Sequence, residues 1–404
     1  MMLQLWGTYR NRAVIPTFDT IIIVVVWAII NGGLFFHYGI KVVNDSPRYL
    51  NYAQKITDGA GWYEPHNVWY LGYVIFIVVV KSLFHTNGAV ILFQVLAHGL
   101  AAVALYLASQ RLFATRGAAL ISALFFLTWI EVSAWNFYLL AESWYVSLVC
   151  FLLYALVSFD GSFQKSLLTS VLVLGVFMTK PTGIAALPAY GVFLFAFYKA
   201  HLLRWKPLFY SLVILMVPLF IELLNAMLST FVLVENYATG EVVYGMSGVQ
   251  GYAGKEQLLL PAQDLEIPPA DLAPVSRWLL FVISNPGYFA RLSMTKAWYY
   301  LAHIRPYYSV AHNAFIILTL YPLYVLAAIA GLRRKENRPF QMFAITFAAV
   351  HVMAIMVTTV DWDGRFLMPL LPLVFLFGGV GVWNTIKPYW RAYKVHRESP
   401  STPT

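Results

Sequence analysis

A single cysteine, Cys150, rules out a disulfide framework and a cysteine-built metal site, and it lies inside an apolar run. Charge is nearly as scarce. Only 11% of the 404 residues are Asp, Glu, Lys or Arg, less than half the roughly 25% of an ordinary soluble domain. That shortage excludes a soluble globular enzyme of this length. What fills the chain instead is apolar: 60% hydrophobic residues and a mean hydropathy of +0.68. Several runs reach the roughly 20 residues needed to cross about 30 Å of hydrocarbon. The sequence therefore reads as an all-α polytopic membrane protein.

Acidic residues are too few to balance the basic ones, and the net charge is +9. The excess does not point to nucleic acid, because it falls in short stretches between apolar runs. Basic clusters stand at Arg10/Arg12, Arg111/Arg116, Lys199/Arg204/Lys206, Arg333/Arg334/Lys335/Arg338 and Lys387/Arg391/Lys394/Arg397. The positive-inside rule assigns such clusters to the cytoplasmic face. Keeping all of them on one side requires ten spans, near 17–39, 88–108, 117–133, 140–158, 166–179, 184–198, 207–233, 310–332, 339–359 and 366–386. Both termini are then cytoplasmic. The first run follows Arg10 and Arg12 but is too long for a signal peptide and lacks a small-residue cleavage pattern, so it is expected to be a retained helix. The run 68–84, interrupted by Lys81, is expected to lie embedded at the outer surface; eleven spans is the rival count. One membrane domain is thus expected over 1–386, with outer loops 40–87 and 234–309. The Ser/Thr/Pro-rich tail 387–404 is expected to be cytoplasmic and disordered.

The outer loops hold most residues with chemical potential. In the first, Ser46-Pro47 reads as a helix start, Ser46 as N-cap. Tyr49, Tyr52, Ala53 and Ile56 then recur as the apolar stripe of a short amphipathic helix closed by Gly59 and Gly61. Asp45 stands at its mouth, either as a partner of the helix dipole or as a reactive carboxylate. Glu64 and His66 follow in an aromatic turn, where two carboxylates in one loop could share a divalent metal or divide acid–base work. Glu142 falls just inside an apolar helix, where an ionisable group is costly. Lys180 occupies an outer hairpin, against the charge trend; snorkelling to headgroups is the alternative. Residues 240–274 contain no run able to cross a bilayer and suit a lid, a binding loop or partial disorder. The stretch 276–305 mixes basic and aromatic residues, the pattern of one or two interfacial helices. Lys180, Arg305 and Arg365 could converge on a phosphate or contact separate headgroups.

Several short motifs add up in order along the chain: Asp45 with Tyr49 and Ala53; Glu64-Pro65; Trp69-Tyr70-Leu71-Gly72-Tyr73; Ala141-Glu142-Ser143; Lys180-Pro181-Thr182-Gly183; Asn285-Pro286-Gly287-Tyr288-Phe289; Arg305-Pro306-Tyr307-Tyr308; and Asp363-Gly364-Arg365-Phe366 before Pro369 and Pro372. Their order resembles the GT-C superfamily of integral membrane glycosyltransferases, in particular bacterial relatives of the protein mannosyltransferases and the lipid A aminoarabinose transferase. The resemblance covers the membrane part, and the large soluble C-terminal domain of some members is expected to be absent. The resemblance implies transfer of a sugar, with inversion, from a polyprenyl-phosphate donor to a glycan, lipid or protein acceptor on the outer face of the inner membrane. It implies Asp45 as general base and Glu64 at a second acidic position that binds metal in some relatives. Many members need no metal, so none is assigned, and no cofactor is implied. The supporting candidates are Glu64, His66 and Glu142; those for the donor phosphate are Lys180, Arg305 and Arg365.

Two other classes share the polytopic pattern. A transporter or flippase could use Asp19 and Glu222, carboxylates within apolar runs, although no inverted repeat relates the two halves. A non-catalytic partner in a glycan-assembly complex is the third reading.

Overall fold

Apolar periodicity without polar breaks gives long helices here, and the computed structural model is helical throughout. It describes residues 15–43, 45–252, 254–261, 264–333 and 337–398. Arg10, Arg12, Asn44, Arg334 and Lys335 lie outside the described residues, as does 399–404. In order the helices are α1 (Thr17–Tyr38), α2 (Ser46–Thr57), α3 (Leu71–Phe84), α4 (Asn87–Phe113), α5 (Arg116–Thr128), α6 (Ile130–Ala134), α7 (Ala141–Val157) and α8 (Phe163–Thr179). There follow α9 (Ala186–Leu202), α10 (Lys206–Leu228), α11 (Leu233–Ala238), α12 (Pro274–Ser284), α13 (Pro286–Ala302), α14 (Val310–Arg333), α15 (Arg338–Val357) and α16 (Leu371–Glu398). Among the described residues β-structure is limited to isolated bridges.

Seven of these helical stretches are long and apolar enough to cross a membrane, or eight if α5 and α6, bent by 56° at Trp129, count as one span. Several of the ten expected spans are shorter helices. α7 and α8 are 17 residues each, and the apolar part of α10 is Val213–Leu228. Conversely Asn67–Phe84, expected to lie at the surface, has crossing length and composition. The stretch from 387, expected to be disordered, instead continues α16 as helix to Glu398. Large apolar side chains on α1, among them Phe18, Ile21, Val24 and Phe36, are exposed, the surface a lipid-facing helix presents.

Helix association in hydrocarbon depends on close approach, which small residues permit. α16 shows how. A Cβ at Gly379 would stand 2.3 Å from Ser122 Oγ on α5, and one at Gly378 2.4 Å from Leu323 on α14. These glycines let α16 wedge between α5 and α14, and the three helices carry much of the main core. A second core joins α2, α3 and α4 around Tyr49, Tyr52, Tyr73 and Ile91. The predicted stripe of α2 is visible there: Tyr49, Tyr52 and Ala53 are buried.

Asp19, weighed as a transport carboxylate, is instead a clamp. Arg116 donates to it from Nε (2.8 Å) and Nη2 (2.7 Å), and Tyr106 donates at 2.6 Å. These bonds tie α1 to α4 and α5. Glu222 is exposed on α10.

Two short backbone pairings join segments distant in sequence. Lys41 forms a parallel bridge with Tyr138: its N–H donates to Phe137 O (2.8 Å), and Leu139 N–H donates to Lys41 O (3.0 Å). The chain entering α2 is thereby held against the chain entering α7. Likewise Val360 bridges to Val243, its N–H donating to Val242 O (3.0 Å) while Tyr244 N–H donates to Val360 O (2.9 Å). That pins 361–365 to the segment after α11. The stretch 276–305 forms two helices, α12 and α13. Within 240–274, Glu241 accepts from the N–H groups of Gly245 (2.8 Å) and Ser247 (2.9 Å).

Candidate active site

The Lys41–Tyr138 bridge sets the geometry of the site, because Asp45 lies four residues beyond Lys41 and Glu142 four beyond Tyr138. Asp45 precedes the first helical residue, Ser46, and so holds the capping position expected of Ser46. Its side chain makes no capping hydrogen bond. Ser46 Oγ accepts from Val43 N–H instead, at 3.0 Å. The Asp45 carboxylate, 40% exposed, faces two guanidinium groups: Arg48 Nη2 at 3.8 Å and Arg365 Nη1 at 3.6 Å.

Arg48 is fixed by aromatic faces, its guanidinium carbon 4.7 Å from the Tyr70 ring centre and 5.0 Å from that of Tyr49. Such stacking suits arginine's planar head. Arg365 is placed differently. Its Nη1 lies 3.5 Å from Glu142 Oε1 and its Nε 3.5 Å from Asp363 Oδ1. With Asp45 this makes three carboxylates around one cation, each beyond good hydrogen-bonding distance. The rings of Trp135 and Phe366 flank it, both at 5.9 Å.

Glu142 is nearly fully buried, and Lys180 donates to it at 2.6 Å. Lys180 has extended backbone between α8 and the 3₁₀ turn Pro181–Ala185, which carries its side chain into the interior. The turn bearing Arg365 is held from behind. Gly364 has φ +74°, and a Cβ there would meet the His303 ring at 2.1 Å. His303 is itself left-handed, buried, and 2.8 Å from Glu131 Oε2. Glycine is therefore required on two counts, conformation and space.

In the same turn, burial and the Asp361 carboxylate push the Asp363 carboxyl up to about 7. Its side chain keeps 46% of its surface open, so the neighbouring charge is the firmer of the two causes. Arg365 pulls the other way.

Of the residues expected from sequence, Asp45, Glu142, Lys180 and Arg365 come together. Arg305 does not join them: its guanidinium is turned inward and donates to the carbonyls of Tyr299, Ile304 (2.9 Å) and Asp361 (3.3 Å). Glu64 is held by Lys55 and Asn67, which keep its carboxyl below the usual range. His66 lies at the margin, 5.9 Å from the Tyr70 ring and 5.0 Å from Phe231. Burial and the Arg48 charge push its imidazole below the ordinary value. Arg48, Trp135, Asp361 and Asp363 were not singled out for the site by sequence. Arg48 had a readable signal, an opposite charge three residues after Asp45 at a helix start. Asp363 stood only within the Asp363-Gly364-Arg365-Phe366 motif, and Asp361 had no signal.

Arg48 Nε, Glu142 Oε2, Arg365 Nε and both carboxylate oxygens of Asp361 are buried without a hydrogen-bond partner. Buried polar atoms are almost always bonded, so these groups are open to a polar ligand. Among the described residues no three His, Cys, Asp or Glu side chains are grouped in a way that could hold a metal ion. Comparison with known proteins gave no match, neither to a family model nor to a curated relative.

Proposed function

We propose that the chain is a membrane glycosyltransferase of the GT-C kind, moving a sugar from a polyprenyl-phosphate donor to an acceptor on the outer face of the inner membrane. The observation that carries this reading is the half-exposed Asp45 carboxylate between two incompletely bonded guanidinium groups. A carboxylate beside an acceptor hydroxyl can take its proton as the oxygen attacks the anomeric carbon. The bond from that carbon to the phosphate oxygen breaks with inversion, and the lipid phosphate leaves with one more negative charge. Arg365 and Arg48 are suited to stabilise that charge. Lys180 compensates Glu142, which helps hold Arg365. In this arrangement both termini are cytoplasmic and the segments bearing Asp45 and Arg365 face outward.

Purified protein in liposomes, supplied with polyprenyl-phospho-sugars and acceptors, tests the reading. Release of free polyprenyl phosphate coupled to sugar transfer is the expected result. Movement of donor across the bilayer without turnover would make the chain a flippase.

The same assay has an expected pH dependence. Burial and the Asp361 carboxylate raise the Asp363 carboxyl to about 7, so it gains negative charge as pH rises through that range rather than through the ordinary carboxylate range. Once ionised, it neutralises part of the Arg365 charge from 3.5 Å away. The donor is a phosphodiester that stays singly charged through this range, so the change belongs to the protein. Donor affinity is expected to fall as pH rises through 7, and Asp363→Asn is expected to flatten the profile. An unchanged profile in that variant would remove Asp363 from the site.

A further inference from the structure

An opening of about 710 Å³ lies between α13 and the segment 256–261, within the roughly 300–1,000 Å³ of ordinary ligand sites. Tyr288, Arg291, Thr295 and Tyr299 line it from α13. Their spacing of three, four and four residues puts them on one helix face. Glu256 and Gln257 line the opposite side.

The two tyrosines are anchored by their hydroxyls. Tyr288 donates to Tyr237 O at 2.8 Å, and Tyr299 to Gln257 Oε1 at 3.4 Å. The Tyr288 ring is thus held as a wall of the cleft, while Tyr299 is tied only loosely to Gln257. Arg291 and Glu256 are exposed, and among the described residues neither side chain has an ion-pair or hydrogen-bond partner.

The lining selects its ligand by chemistry. Guanidinium only donates and carboxylate only accepts, so a ligand using both must carry donors and acceptors. A phosphate would be repelled by Glu256. An apolar molecule would desolvate both charges without return. A polyhydroxyl ring meets both, and its C–H face can lie on a tyrosine ring.

One hydrogen-bonded link runs from the cleft wall to the turn that bears Arg365: Tyr299 O accepts from Arg305, whose other nitrogen donates to Asp361 O.

We propose that this cleft between α13 and residues 256–261 holds a neutral saccharide, the sugar portion of the acceptor. The acceptor role rests on reading the Asp45 cluster as a transferase centre; saccharide binding itself does not.

The purified full chain in nanodiscs, applied to a printed array of neutral and anionic glycans, tests this. The parent is expected to retain a subset of neutral glycans. Arg291→Ala and Tyr299→Ala are each expected to weaken retention by about tenfold, near 1.4 kcal/mol. Tyr299→Phe, keeping the ring, is expected to be milder than Tyr299→Ala and guards against a folding artefact. Retention of anionic glycans only, or of none, overturns the proposal, as does binding lost in Asp45→Asn but kept in Arg291→Ala. A parent that turns over donor yet retains no glycan refutes the cleft and leaves the transferase standing. A parent that retains glycans through Arg291 without turning over donor refutes the acceptor role and keeps the saccharide site.

Discussion

Asp45→Asn is expected to slow sugar transfer by about 10²–10⁴-fold, the usual worth of a positioned general base, with folding unchanged. The substitution separates two roles. Asn serves as well as Asp at a helix N-terminus, and Asp45 makes no capping bond to lose. Its ion pairs with Arg48 and Arg365 are 3.8 and 3.6 Å long and partly exposed, the class that contributes little to stability. An amide cannot take the acceptor proton, so the loss should fall on turnover. Donor binding should hold or tighten, because a negative charge beside the phosphate is removed. Glu64→Gln is the control: with Glu64 occupied by Lys55 and Asn67, its effect should be small. Near-parental transfer by Asp45→Asn would remove the base and leave the cluster as a charged structural node.

The contrast between Asp45 and Arg305 shows what spacing can and cannot carry. The stripe of α2, and Asp45 at its mouth, are properties of a dozen consecutive residues, and spacing describes them well. Arg305 looked equally exposed to function, a cation among tyrosines on an outer loop. Its fate is decided by the end of α13. There His303 turns left-handed, leaving the last carbonyls of the helix without intrahelical partners. Arg305 satisfies that of Tyr299, while Tyr321 and Tyr324 donate to Ala302 and Leu301. A basic side chain just beyond a helix end commonly takes this role.

The meeting of Asp45 with Glu142 and Arg365 was likewise invisible from local pattern. It depends on bridges formed by Lys41 with Tyr138 and by Val360 with Val243, pairings between segments about a hundred residues apart. Charge sidedness sets ten crossings, whereas length and composition mark seven or eight helices; the two differ partly because α7 and α8 are 17 residues long, at the lower limit for crossing.

Lys180→Met is expected to be the most destabilising single change in the cluster, costing roughly 3–5 kcal/mol. Methionine keeps the length of the side chain but leaves Glu142 buried without the ammonium that donates to it at 2.6 Å. Arg365, 3.5 Å away and shared with Asp45 and Asp363, is a poor replacement. Adding Glu142→Gln should recover much of the loss, because the uncompensated charge is then gone. Thermal unfolding of the purified variants in one detergent would read this directly. The sequence alone also allowed Lys180 to be a donor-phosphate ligand, and the measurement separates the two roles. A Lys180→Met protein as stable as the parent but weak in donor binding would assign the lysine to the phosphate. Loss of stability that Glu142→Gln repairs would assign it to the carboxylate and leave Arg365 and Arg48 as the cations facing the donor.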